Sequence, residues 1–156
     1  MPNTLYSTAK QAFLTSIEID NVQTNIDWVN DNFGAALVSS IYTIDAIADS
    51  HLSDIPSSAI LSRTSLTTSA IGSGSGLGTA YAESVTFTDF PGVSTGTQGD
   101  YIVIYRDAGT GQDSDNLLIS YIDTADGLPV IYNTGDIQVN WDNTNTGTSV
   151  GRVFRL

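Results

Sequence analysis

Side chains able to do nucleophilic or acid–base chemistry are few in this chain, and they are not gathered. Such catalysis draws on cysteine, histidine or lysine with tuned pKa values. The 156 residues contain no cysteine, one histidine, His51, and one lysine, Lys10. Carboxylates are abundant, but of the seventeen, fifteen are aspartate and two glutamate. That bias belongs to turns and loop caps, where Asp bonds nearby backbone, rather than to helix surfaces. His51 precedes Leu52-Ser53-Asp54, and no Ser or Cys nucleophile can be set against it. Its expected use is a hydrogen bond to a local Asp or to backbone. Glycoside hydrolysis would need two opposed carboxylates, and the sequence singles out no pair. The chain reads as a structural or binding module, not an enzyme.

Three other groups of residues could bind. Asp107, Asp113 and Asp115 share the segment DAGTGQDSD, where carboxylate oxygens could collect around calcium. The EF-hand order fails, with no glycine at loop position six and no glutamate at twelve, so a solvated hairpin turn without metal is expected. The run Gly72-Ser-Gly-Ser-Gly-Leu-Gly78 lacks the Lys-Ser/Thr of a phosphate loop and the GxGxxG of a dinucleotide site. It reads as a flexible connection. Trp28 and Trp141 are expected in the core, since Trp141 falls in phase with Ile137 and Val139. Arg152 and Arg155 flank Val153-Phe154 and are expected on a sheet edge or face, paired with Asp. An interface role is their sharper reading, because Arg is enriched at binding hot spots. No cofactor is expected.

A formal charge of −12 and a pI near 4.1 oppose binding to a phosphate backbone or to an anionic membrane surface. No basic segment followed by an apolar run opens the sequence, and the longest near-apolar stretch, Phe33–Val38, is too short to span a bilayer. The expectation is a soluble acidic protein, one domain over residues 1–156, with 1–56 a mixed helix and strand lead-in and 57–156 rich in strand. Ser, Thr and Asn make up about 30% of the chain while charged residues make up 14%, which favours strands and turns over helix surfaces.

The elements that must position these residues follow from periodicity. Leu5, Ala9, Ala12 and Phe13 predict a helix over 4–15, with Asn3 or Thr4 as cap. Residues 33–43 predict a buried strand, and 44–52 a second helical fragment stopped before Pro56. Residues 57–70 suit an exposed strand or loop. Val85 and Phe87 alternate with Thr86 and Thr88. Tyr101–Tyr105 is continuously apolar, as a central strand buried on both faces would be. Leu117–Ile122 follows, then the Asp126-Gly127 turn, after which 128–132 is expected to pair back with Pro129 at an edge. Ile137, Val139 and Trp141 alternate with polar residues, and 150–156 closes the chain as a strand. The predicted fold is mainly β, an antiparallel β-sandwich or open barrel with one or two short N-terminal helices.

Several of these segments also occur together elsewhere. They are Leu5-Tyr6-Ser7-Thr8-Ala9-Lys10, Ala35–Val38 with Tyr42-Thr43, Leu52-Ser-Asp-Ile-Pro56, and Tyr121–Val130. Gly135-Asp136-Ile137 running into Trp141-Asp142, and the terminal Phe154-Arg155-Leu156, complete the set. In these the chain resembles a family of small virion proteins of tailed bacteriophages, of the capsid cement or decoration type, departing from it at Asn21–Val29 and Gly72–Gly78. The resemblance implies a non-enzymatic protein on the outer capsid surface of the virion, bridging subunits of the major capsid protein, with self-association as a dimer in view. It implies no nucleic-acid or membrane partner. Leu5, Tyr6, Leu52, Asp54, Pro56, Arg152 and Arg155 are its candidate interface residues. A tail or tail-tip component is the alternative, and a calcium-assisted carbohydrate-binding adhesin a third.

Overall fold

Residues Tyr101–Arg106 form the spine of the protein, because a run of β-branched and aromatic side chains leaves no face for water. The structure, a computed structural model, describes residues 4–15, 17–19, 22–69, 78–142 and 150–155, with backbone alone at 17–19 and 22–24. In chain order the elements are β1 (Thr4–Leu5), α1 (Ser7–Leu14), β2 (Ile17–Ile19), β3 (Val22–Thr24), β4 (Phe33–Val38), β5 (Ile60–Leu66) and β6 (Thr68–Ser69). There follow β7 (Thr79–Glu83), β8 (Val85–Phe87), β9 (Gln98–Gly99), β10 (Tyr101–Arg106), β11 (Leu117–Ile122), β12 (Val130–Ile131), β13 (Ile137–Val139) and β14 (Val150–Arg155).

β10 lies at the centre of a five-stranded antiparallel sheet of order β1-β11-β10-β4-β5. Every residue of β4 and β11 is buried, so the sheet is covered on both faces. Cover comes from α1, which packs on β11 through Ala9 and Ala12, and from smaller sheets. Those are β14-β7-β6, β13-β8 and β12-β9, and they add Ala80, Ala82, Val85, Phe87 and Trp141 to one continuous core. At about 1.5–3 kcal/mol for each large apolar side chain fully buried, this core supplies the driving force for the fold. The architecture is mainly β, antiparallel and sandwich-like, without a closed barrel.

The two tryptophans join the layers. Trp28 packs at a tilt against Phe33 of β4, with ring centroids 4.5 Å apart, and edge-to-face with Phe154 of β14 at 4.9 Å. Its indole N–H donates to the Tyr81 carbonyl at 2.9 Å, while that of Trp141 donates to the Glu83 carbonyl at 2.7 Å. Both polar tips therefore end on β7, and both rings are core, as their pattern predicts.

Several expectations need correction. The helix begins at Ser7, not residue 4, because Thr4 and Leu5 pair with Tyr121 and Ser120 of β11. Tyr6 stands at its N-cap without a side-chain capping hydrogen bond, and Asn3 lies outside the described residues. The strand from Phe33 stops at Val38, where Ser39 N–H turns to the Ala59 carbonyl and Ser40 N–H to Asp100. Residues 44–52 form a turn, not a helix, since Asp45 captures the N–H groups of Ile47 and Ala48. Single 3₁₀ turns occur at Leu52–Asp54, Ser57–Ala59 and Asp113–Asp115, so helical geometry is not confined to the first 56 residues. Val130–Ile131 pairs with β9 rather than back onto β11. Within residues 1–56, β4 is an inner strand of the main sheet, between β10 and β5.

Candidate functional site

Residues Leu5–Lys10, Leu52–Pro56 and Tyr121–Val130 converge on one strand. Leu5 and Tyr6 lie along β11, with the Tyr6 N–H donating to the Ile119 carbonyl at 3.0 Å. Leu52 reaches the same strand from the other side of the chain, through its own N–H to the Asn116 carbonyl at 2.8 Å and through a His51–Leu117 bridge. The third segment opens with the last two residues of β11 itself, Tyr121 and Ile122. Arg152 and Arg155 belong instead to β14, in another sheet.

Burial then removes three interface candidates. Leu5 is 7% exposed, and Tyr6 and Leu52 are 0% exposed, so each is packed away from any partner. Asp54 and Pro56 are exposed. The Asp54 carboxylate accepts the backbone N–H groups of Ser50 and His51 at 2.8 and 2.9 Å, closing the turn around the histidine. His51 Nδ1 lies 3.0 Å from the Ser50 hydroxyl, a local partner other than the Asp or backbone expected. Arg152 is exposed and pairs with Asp142 across an isolated bridge, and Arg155 is exposed at the end of β14.

Other acidic residues are similarly engaged. Asp113 receives both guanidinium branches of Arg63, at 2.6 and 2.7 Å. Asp115 accepts the Thr110 hydroxyl at 2.6 Å and Asp107 the Gly109 N–H at 2.8 Å, so the 107–115 segment is a self-bonded hairpin loop. Among the described residues, no three His, Cys, Asp or Glu side chains converge as metal ligands would. Among the same residues, no helix is long and apolar enough to cross a membrane. The glycine run lies outside the described residues except for Gly78, which has φ +75°.

What the residue pattern did not disclose is a hydroxyl chain under the 39–54 segment. The Tyr42 hydroxyl donates to Asp49 Oδ2 at 2.5 Å, and the Tyr6 hydroxyl lies 3.2 Å from that of Tyr42. With the Tyr42 proton directed at Asp49, Tyr6 is the donor to Tyr42. Burial is the first cause holding both phenols above their ordinary pKa, so both stay protonated. Above this chain, Ile41 and Ile47 face solvent. The signal available in the sequence was Asp45 two and three residues ahead of Ile47 and Ala48, the spacing of a side chain capping its own turn.

Comparison with protein-family models, with curated proteins and with solved structures finds no match.

Proposed function

We propose that this chain is a non-enzymatic structural protein of a tailed-phage virion, cementing the capsid from outside by bridging neighbouring major capsid subunits. The observation carrying this reading is the use made of its carboxylates. Asp27, Asp31, Asp45, Asp49, Asp54, Asp107, Asp113 and Asp115 each hold a backbone N–H, a hydroxyl or an arginine in place. Carboxylates so engaged rigidify loops and are poorly disposed for proton transfer. A rigid β framework with stiff polar loops suits a clamp that works by contact alone. The negative charge supports a position away from packaged DNA. The motif resemblance supplies the partner.

The test adds labelled protein to capsid shells lacking it and measures occupancy and thermal rupture. Shells should bind far more tightly than free capsid subunits, because attachment at two points raises the effective concentration of the second contact. Occupied shells should rupture at higher temperature. No binding to shells, or binding confined to tails, would overturn the reading.

A further inference from the structure

The segment between β4 and the first 3₁₀ turn combines exposure with rigidity. Ile47 is 83% exposed and Ile41 66%. Single apolar side chains are common on surfaces, so exposure alone decides nothing. The backbone beneath them is the distinguishing feature. Ser40 N–H is held by Asp100 at 2.7 Å, and those of Ile47 and Ala48 by Asp45 at 3.0 Å each. Asp45 N–H is held by Asp49 at 3.1 Å, and the N–H groups of Ser50 and His51 by Asp54. Two ties fasten the segment to the core: the buried Tyr42 hydroxyl chain, and the Ser7 N–H at the start of α1, which donates to the Ala46 carbonyl at 2.8 Å.

A loop fixed this way cannot fold its isoleucines inward, and it would lose little freedom when bound. Preorganised apolar side chains of this kind form the centres of interfaces. Charge identifies the partner. Residues 39–54 contain Asp45, Asp49 and Asp54 and neither lysine nor arginine. The N–H groups of Ala48 and Ile47 hold the Asp45 carboxyl below the usual carboxylate range, so it stays ionised. A second copy docking through the same loop would set these carboxylates against their equals, which disfavours self-association here.

We propose that the Ile41–Ile47 loop is a docking epitope for a protein surface offering an apolar depression rimmed by lysine or arginine. It deepens the virion reading and rests on it for the expected partner, the capsid subunit.

Because the chain has no cysteine, an I47C variant can carry a single benzophenone cross-linker, with T86C at the exposed position of β8 as control. The purified labelled protein is added to lysate of the cells that make it and to particles lacking it, the mixtures are irradiated, and the joined peptides are identified by mass spectrometry. The expected product joins position 47 to an apolar peptide bordered by Lys or Arg, with none of it formed from position 86. Adding Ile41→Asp should lower its yield at least about tenfold, as loss of a hot spot does, without changing the melting temperature. A capsid peptide supports both readings. A tail-protein peptide of the same character supports the epitope and overturns the capsid assignment. Reaction only with a second copy of the chain, only with acidic peptides, or with no protein overturns the epitope.

Discussion

The ring of Tyr105 lies over Gly34, its cross-strand partner. A Cβ added at position 34 would stand 2.3 Å from Tyr105 Cζ and 2.4 Å from its hydroxyl oxygen. Tyr105 is buried in the central strand and cannot swing away. Replacing strand glycine by alanine ordinarily gains about 0.5–1 kcal/mol, whereas overpacking a core costs about 1–3 kcal/mol. Gly34→Ala should therefore destabilise, by roughly 1–2 kcal/mol in urea unfolding. Adding it to Tyr105→Ala should cost little more than Tyr105→Ala alone, because the obstructing ring is gone. Additive losses would show that the ring is not the obstacle.

The hydroxyl chain makes a prediction about a pair. Tyr42→Phe leaves the fully buried Tyr6 hydroxyl without its acceptor, at a cost of about 1–3 kcal/mol. Removing that hydroxyl too, in Tyr6→Phe/Tyr42→Phe, should restore part of the loss, since an apolar pair leaves nothing unsatisfied. Thermal melts of the three variants decide it. A double variant less stable than Tyr42→Phe would mean the Tyr6 hydroxyl has another partner.

Acid should weaken the turns before it reaches the core. The Asn30 side chain and Val29 N–H lower the Asp27 pKa, and the Ala48 and Ile47 N–H groups lower that of Asp45. A depressed folded-state pKa contributes stability that is present above the unfolded value, about 3.9, and is lost as pH falls through the folded value. Asp45→Asn keeps an acceptor but loses the charge. Its melting temperature should trail that of the wild type above about pH 4 and converge with it at lower pH. A constant gap across the range would contradict the linkage.

Deleting Arg152–Leu156 should remove most of the β14 pairing with β7 and strip Phe154 from Trp28 and from Phe13, whose ring centre lies 5.8 Å away. Val153 and Phe154 are only part-buried, so the expected loss is about 2–4 kcal/mol, at the lower end for two such side chains. The melting temperature should fall by at least about 5 °C. An unchanged melt would show that β14 contributes nothing to stability.

Millimolar calcium should leave the melting temperature unaltered. Asp113 already has both oxygens on Arg63, and Asp107 and Asp115 are occupied within their own loop. An ion at a hundredfold excess over its dissociation constant would add about 2.7 kcal/mol. A chelator-reversible rise would revive the adhesin alternative.

Strands with unbroken local patterns were legible in the chain itself. Tyr101–Tyr105 is continuously apolar, Leu117–Ile122 is apolar but for Ser120, and both lie inside the main sheet, while Val85 and Phe87 are buried and Thr86 is exposed. The acidic loop at 107–115 was legible as well, because Asp107 bonds backbone two residues away and that spacing is written locally. Tertiary structure alone decided what each strand pairs with, and it reversed two local readings. Residues 44–52 read as a helical fragment, yet the Ala46 carbonyl, which a helix would offer to Ser50, accepts the Ser7 N–H, the Ser50 carbonyl accepts that of Leu118, and the segment becomes a loop with Ile47 in water. Leu5, Tyr6 and Leu52 were candidate interface residues, but contacts more than sixty residues away, along β11 and the residue before it, draw them into the core. Short-range hydrogen bonding and side-chain alternation are encoded within a few residues. Burial depends on which distant surface closes over a side chain, and only the assembled sheet determines that.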